Sequence, residues 1–365
     1  MDLYVLDQEF NTLGLIDQFD SFIWTDRYNE AGDFEIYTAV TTELLDLLRA
    51  DRYLWWSESE HTMIIEQITI DTDEESGNML TITGRSLESI LDRRVIPNQT
   101  DFKDTLPNCI KKLMNDNILS PTDSKRKISN LIFVDSTDPR LTSIQLEGQI
   151  TGENLYDVIV TFCQTYNVGF KIILDSKNRF VFSLYMGEDR SYNQNDLPYV
   201  VFSPDFENIV NSNYFENKAT LKNVALVAGE RDESGDKGRV PVSLEIGTAS
   251  GLSRREIWVD ARDVSSTNET GETIPESEFN EKLKQRGNET LSENKVTKAF
   301  EGDLDATRMF VYNKDFYLGD IVQIVNDYNI EARSRVSEMV YSEDENGPSY
   351  LPTFIVVDDE TERRV

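Results

Sequence analysis

Polar and apolar positions alternate through most of the first hundred residues. The stretch Ile23–Thr38, IWTDRYNEAGDFEIYT, alternates like a strand, breaks, and alternates again. Phe22–Trp24 and Phe34–Tyr37 therefore read as strands flanking RYNEAGD, where Gly32 permits the turn. Trp24, Phe34 and Ile36 share parity and can face one core. Arg27, Glu30, Asp33 and Glu35 gather near the turn, with Asp26–Arg27 and Asp33 placed to pair across it or across a subunit boundary. Further strands are expected at Leu3–Leu6 and Leu13–Ile16, and a hairpin from MIIEQITI and NMLTITG around the acidic loop DTDEESG. Two helices interrupt this pattern. TTELLDLLRA carries the stripe Leu44, Leu45, Leu47 and Leu48, with a Thr as cap. SLESILDRRV places Leu87, Ile90 and Leu91 on one face, with Ser86 as expected N-cap and Pro97 as stop.

Residues 101–200 change period. Leu106, Ile110, Leu113 and Met114 mark one helix, and Leu155, Val158, Ile159, Phe162, Cys163 and Tyr166 a second with a 3.6-residue repeat. FKIIL and RFVFSLYM form a hairpin around DSKN, so a helix on a hairpin sheet gives a small α/β module. From about 200 the chain returns to β: KNVALVAGE, VPVSLEIG, REIWVDAR, LGDIVQIV, ARSRVSEMVYS and YLPTFIVV. A polar linker at 263–276 and a weakly apolar helix at 276–294 interrupt it. The expected division is a β domain over 1–100, an α/β module over 101–200, and a second β domain over 201–365 with a linker-helix insertion around 263–295. Short strands with frequent turns suggest small barrels or sandwiches.

At 365 residues the chain is too long for one ordinary core. Charge changes the picture most: 36 Lys+Arg against 67 Asp+Glu leave a net charge of −31. Such a surface repels phosphate backbones and disfavours tight nucleic-acid binding. Cys109 and Cys163 sit on apolar helix faces and read as reduced core residues. No apolar run approaches the roughly 20 residues of a membrane span, and the N-terminus MDLYVLDQEF has no signal pattern.

Candidate chemistry is sparse. His61 is the only histidine, which rules out a two-His zinc motif. It lies among carboxylates in SESEHTM and reads as a surface or edge residue rather than a general base. Asp71, Asp73 and Glu75 alternate in a loop, but Gly77 comes one place late for an EF-hand and Ile82 stands where the bidentate Glu belongs. Asp358, Asp359 and Glu360 form a terminal acidic run, expected to be solvated. There is no P-loop and no G-x-S-x-G elbow. No catalytic, cofactor-binding or metal residue is therefore assigned. Trp55 and Trp56 in RYLWWSE are candidate sugar-stacking residues, with at least one expected in the core.

Several strings acquire meaning together: WTDRYNEAGDFE, GRSLESILDRRVI, YMGEDRSYNQNDLPYVVFSPDFENI, KNVALVAGE, GLSRREIWVDARDV, LGDIV and YLPTF. In this order, over about 20–355, they resemble the tail hub (tail-associated, Tal) proteins of siphophages and prophages of Gram-positive hosts. The resemblance implies a mainly β fold with α+β modules, like the hub of contractile-phage baseplates. Two tube-type β-barrel-like domains would carry small α/β insertions, and three copies would close a pseudo-sixfold ring. It further implies a place at the virion tail tip, after synthesis in the host cytoplasm. Expected partners are two further copies, the distal tail ring protein or tail tube, the tape measure protein, and receptor-binding or fibre proteins. DNA would pass without tight binding, and no cofactor is implied. Ending at Val365, the sequence is expected to be a short form whose fibre or lytic activity lies on another chain or is absent. Arg190, in the turn-like GEDRS, is expected to pair with an acid of its own module or of a neighbour. Two other functions compete: a wall-degrading hydrolase working through Asp/Glu, and a module binding host polysaccharide.

Overall fold

The computed structural model describes residues 2–73, 77–229, 243–304 and 309–357. Glu75, the run Asp358–Glu360 and the start of VPVSLEIG lie outside the described residues. The chain opens with β1 (Leu3–Leu6), β2 (Thr12–Ile16), β3 (Ser21–Arg27), β4 (Asp33–Ala39), α1 (Thr42–Leu47), β5 (Tyr53–Trp56), β6 (Thr62–Asp73) and β7 (Gly77–Ser86). There follow β8 (Thr100–Thr105), α2 (Leu106–Met114), β9 (Leu131–Val134), α3 (Pro139–Thr142), β10 (Gln145–Ile150), α4 (Leu155–Thr165), β11 (Gly169–Leu174) and β12 (Phe180–Tyr185). The remainder comprises β13 (Val201–Phe202), β14 (Ile209–Asn217), β15 (Val224–Ala228), β16 (Leu244–Ile246), β17 (Glu256–Asp260), α5 (Glu276–Glu293), β18 (Thr297–Leu304), β19 (Ile321–Val325), β20 (Glu331–Asp344) and β21 (Gly347–Val356). The fold is mainly β with α+β modules.

One sheet runs antiparallel in the order β14-β18-β21-β20-β3-β4-β7-β6-β5-β1-β2, with β19 attached to β20 and β13 paired in parallel with β19. The first and last parts of the sequence thus share a sheet. Strand β20 joins them because it changes partner along its length. Residues 331–335 pair with β19 and 338–343 with β3, and a register shift between Val336 and Glu338 marks the switch.

Two cores lie along this sheet. The first gathers Phe22, Trp24, Phe34, Ile36, Trp56, Ile65 and Ile82, so the shared parity of Trp24, Phe34 and Ile36 places all three inside. The second gathers Phe202, Phe300, Phe316, Val322, Val336 and Phe354. Each half lends the other an aromatic. Tyr28, after β3, is buried in the second core, and Tyr341 of β20 in the first. Burying such a side chain contributes about 1.5–3 kcal/mol, so the halves stabilise each other.

The α/β module forms a third core, in which Leu106, Ile110 and Leu113 of α2 and Leu155, Ile159 and Phe162 of α4 meet Phe170, Ile172 and Phe182 of the β11–β12 hairpin. The Asn154 side chain accepts from the Tyr156 amide and caps α4. Cys109 and Cys163 are free and buried here, and burial pushes both thiols up, Cys109 to about 11. Strands β15–β17 form a separate three-stranded sheet rather than joining the long one, and α5 covers it through Leu283.

SLESILDRRV is not an α-helix but a 3-10 helix, Leu87–Arg93, with no side-chain cap from Ser86. The Ser86 hydroxyl instead accepts from the Gly32 amide at 2.8 Å. Three residues per turn leave Glu88 as well as Leu87, Ile90 and Leu91 inside. The acidic loop between MIIEQITI and NMLTITG is also shorter than its composition suggests, since β6 and β7 extend to Asp73 and Gly77.

Candidate functional site

The polar residues that matter gather where the two sheet halves and the α/β module meet. The end of β3 supplies the first group. Arg27 reaches Asp33 of β4 and Glu338 of β20, each at 2.7 Å, and donates to the Ala31 carbonyl at 3.0 Å. It therefore closes its own hairpin turn and locks that turn to the strand shared by both halves. Glu30 accepts from Gln164 of α4, which ties the same turn to the α/β module.

His61 is not at the surface. It is 2% exposed, and its Nδ1 lies 3.1 Å from the fully buried Glu88 carboxylate. The acidic neighbours in SESEH are misleading, because the loop turns His61 inward onto the 3-10 helix. Burial pushes the imidazole down, but the Glu88 and Asp26 charges outweigh it and raise the group to about 9. Burial likewise pushes the Glu88 carboxyl up. The His61 charge and bonds from His61, Ser86 and the Ile172 amide more than reverse this, holding it below the ordinary carboxylate range. The Ile172 N–H donates to Glu88 at 2.7 Å, so the pair pins β11 to the first half of the sheet. Neither His61 nor Glu88 lines the cavities described next.

Asp26 is 4% exposed. It accepts from Trp24 Nε1 at 2.9 Å and from the Ser59 hydroxyl at 3.1 Å. Burial raises its carboxyl, against the opposing His61 charge. It opens on a cavity of about 100 Å³ walled by aromatic rings, including Trp56, Tyr341 and Tyr350. Beside it runs a wider cleft of about 610 Å³ lined by Glu60, Lys171, Tyr185, Glu188 and Arg190 among others. Trp56 is buried and Trp55 is 39% exposed, tilted against Tyr4 with ring centroids 5.3 Å apart.

Arg190 finds its acid in another part of the same chain. It donates to Asp320 at 2.7 Å, and Asp320 also accepts from the amides of Glu188 at 2.7 Å and Tyr317 at 3.0 Å. Arg333 of β20 reaches Asp189 at 2.8 Å. GEDRS is thus not a turn but a segment bridged in parallel to Ile321 at Asp189 and clamped to the second half of the sheet. Arg190→Ala leaves the Asp320 carboxylate buried with two amide donors only. It is expected to cost about 2 kcal/mol in urea unfolding and to raise amide exchange at 187–191. Undiminished stability would show that the clamp contributes nothing.

Sequence reasoning missed Glu88 and Asp320, and it placed Asp26 in pairing at the turn, whereas Asp26 accepts from Trp24 and Ser59 in the interior. Each had a faint signal: a single acid inside or beside an apolar run, as in SLESIL and LGDIV. Among the described residues, no three or more His, Cys, Asp or Glu side chains gather so as to hold a metal ion. The arrangement fastens modules together, and its His–Glu pair is buried.

The model of the family described as Siphovirus ReqiPepy6 Gp37-like protein matches residues 2–354. The chain belongs to that family. The resemblance to siphophage tail-associated proteins is borne out. Solved structures that share the fold of the Gp37-like chain include tail proteins. The 43 kDa tail protein of prophage MuSo2 from Shewanella oneidensis superposes with TM-score 0.59 at 11% identity, over 99% of this chain and 100% of that one. The tail protein from Neisseria meningitidis MC58 gives 0.57 at 13%, over 99% and 98%. Prophage tail protein gp18 from Listeria monocytogenes EGD-e gives 0.51 at 14%, over 100% and 98%. No curated protein matches the Gp37-like chain.

Proposed function

We propose that this tail protein is the structural hub of a siphophage tail tip, three copies closing a ring that continues the tail tube and lets DNA pass. The family match over 2–354 carries the reading. The shared sheet supports it, because two β halves with separate cores, rigidly joined through β3 and β20, give each copy two wall units. In this reading residues 1–100 and 201–365 supply the two tube-type units, and 101–200 a module set against them. Three copies then offer six units to a sixfold tube. The net charge of −31 per chain suits a channel that must not hold polyphosphate. The ring's neighbours would be the distal tail ring protein or tube, the tape measure protein and fibre proteins, with no catalytic step of its own.

The test is the mass of the purified chain, alone and with its tail-tube partner, together with imaging of intact virions. A mass three times that of the chain and axial density at the tip are expected. A chain that stays monomeric with the tube end present, or density outside the axis, overturns the proposal.

A further inference from the structure

The aromatic cavity beside Asp26, lined from both halves of the sheet, has the chemistry of a binding site. We propose that it receives an alkylammonium head group, with the rings of Trp24, Trp56, Tyr341 and Tyr350 as walls and the Asp26 carboxylate as counter-ion.

Three observations carry this. The first is the wall. Trp24 and Trp56 lie 5.7 Å apart between ring centroids, Trp56 and Tyr341 4.6 Å, and Tyr341 and Tyr350 5.1 Å. Together they form a continuous aromatic surface around the cavity. The negative faces of such rings attract a cation, most strongly once water is excluded.

The second is the unbalanced charge. Asp26 is nine-tenths buried, yet among the described residues no ammonium, guanidinium or imidazole nitrogen forms an ion pair with it. Its donors are neutral: the Trp24 indole, the Ser59 hydroxyl and, at 3.5 Å, the Tyr312 hydroxyl. His61, whose charge also reaches Asp26, is committed to Glu88. Two carboxylates thus share one imidazolium, and a buried carboxylate in that position is costly unless a cation joins it.

The third is size and access. About 100 Å³ is less than the roughly 150 Å³ that holds a benzene ring, and suits a head of four or five heavy atoms. The mouth carries the exposed Glu58 and the 45% exposed Val311, so an aliphatic stem could leave past Val311 with a second carboxylate at the rim. The same chemistry is offered by the ε-ammonium of a lysine on a partner protein and by a quaternary ammonium head group.

The experiment titrates the full chain with n-butylammonium, tetramethylammonium and the neutral isostere tert-butanol at constant ionic strength. The indole N–H resonances of Trp24 and Trp56 report on the cavity and Leu252, exposed far along the chain, serves as reference. Saturable shifts at both indoles with an ammonium, absent with tert-butanol, are expected. Tighter binding of n-butylammonium points to a lysine side chain, and tighter binding of tetramethylammonium to a quaternary head group. Asp26→Asn keeps an oxygen for Trp24 and Ser59 while removing the charge, and should weaken binding about tenfold or more. Glu58→Gln, at the exposed mouth, should weaken it about threefold and remains informative if Asp26→Asn does not fold. Equal response to tert-butanol, no saturation with either ammonium, or unchanged affinity in the folded charge variants overturns the proposal.

Discussion

Replacing Glu88 with alanine is expected to lower the unfolding free energy by about 3–5 kcal/mol, measured by urea melts with the slope checked for constancy. The substitution strips His61 of its counter-charge, leaves the Ile172 amide without its acceptor, and opens a cavity in a fully buried 3-10 turn. The same pair gives the intact protein a pH signature. The unfolded chain releases the imidazole proton near 6.5, while the native state keeps it to about 9. The contribution of His61 is therefore complete below pH 6.5 and is lost as pH rises through 9. Glu88 acts with the opposite sign. Its native carboxyl is held below the ordinary 4.5, so its contribution is present above that value and fades as pH falls through the depressed one. Between pH 6.5 and 9 the protein should lose about 3 kcal/mol of stability, and Glu88→Gln should remove most of that slope. A variant with the full slope would assign the pH dependence to other groups.

Gly187→Val should cost about 3 kcal/mol or more, or prevent folding. A Cβ at Gly187 would sit 2.0 Å from the Gly319 carbonyl carbon and 2.3 Å from the Asp320 amide nitrogen. Both are main-chain atoms and cannot swing aside. The segment would have to lift, breaking the Glu188 amide bond to Asp320 and the Arg190 ion pair together. Gly14→Ala is the mild control, because its Cβ would meet only the flexible Leu47 side chain, at 2.9 Å. Thermal unfolding of the two variants should separate them by many degrees. Equal midpoints would mean that the 187–191 segment is not held as tightly as its contacts imply.

Period-two alternation marked β4 and β7 because these strands bury one face and leave the other partly exposed, and the strong helical repeat marked α4 for the same reason. Strand β14, IVNSNYFEN, and strand β8, TDFKDT, were illegible: their polar residues occupy positions that alternation would reserve for the core. The 3-10 turn at Leu87–Arg93 was mistaken for an α-helix because its three apolar residues fit both repeats. Only the tighter winding carries Glu88 inside. The junction was harder still. Arg27 and Glu338 are 311 positions apart, and nothing local to either residue names the other. His61 was misplaced because its neighbours in sequence are solvated while its neighbour in space is a buried acid. The order of familiar strings carried the family assignment without any of these contacts.

The seam between β3 and β20 also constrains how the protein is made. A ribosome adding about 5–20 residues per second delivers Glu338 only some 15–60 seconds after Arg27. Throughout that interval the first seven strands present β3 as an unsatisfied edge, able to recruit the wrong strand from another nascent chain. The two halves of the long sheet can therefore close on each other only once β20 has left the ribosome.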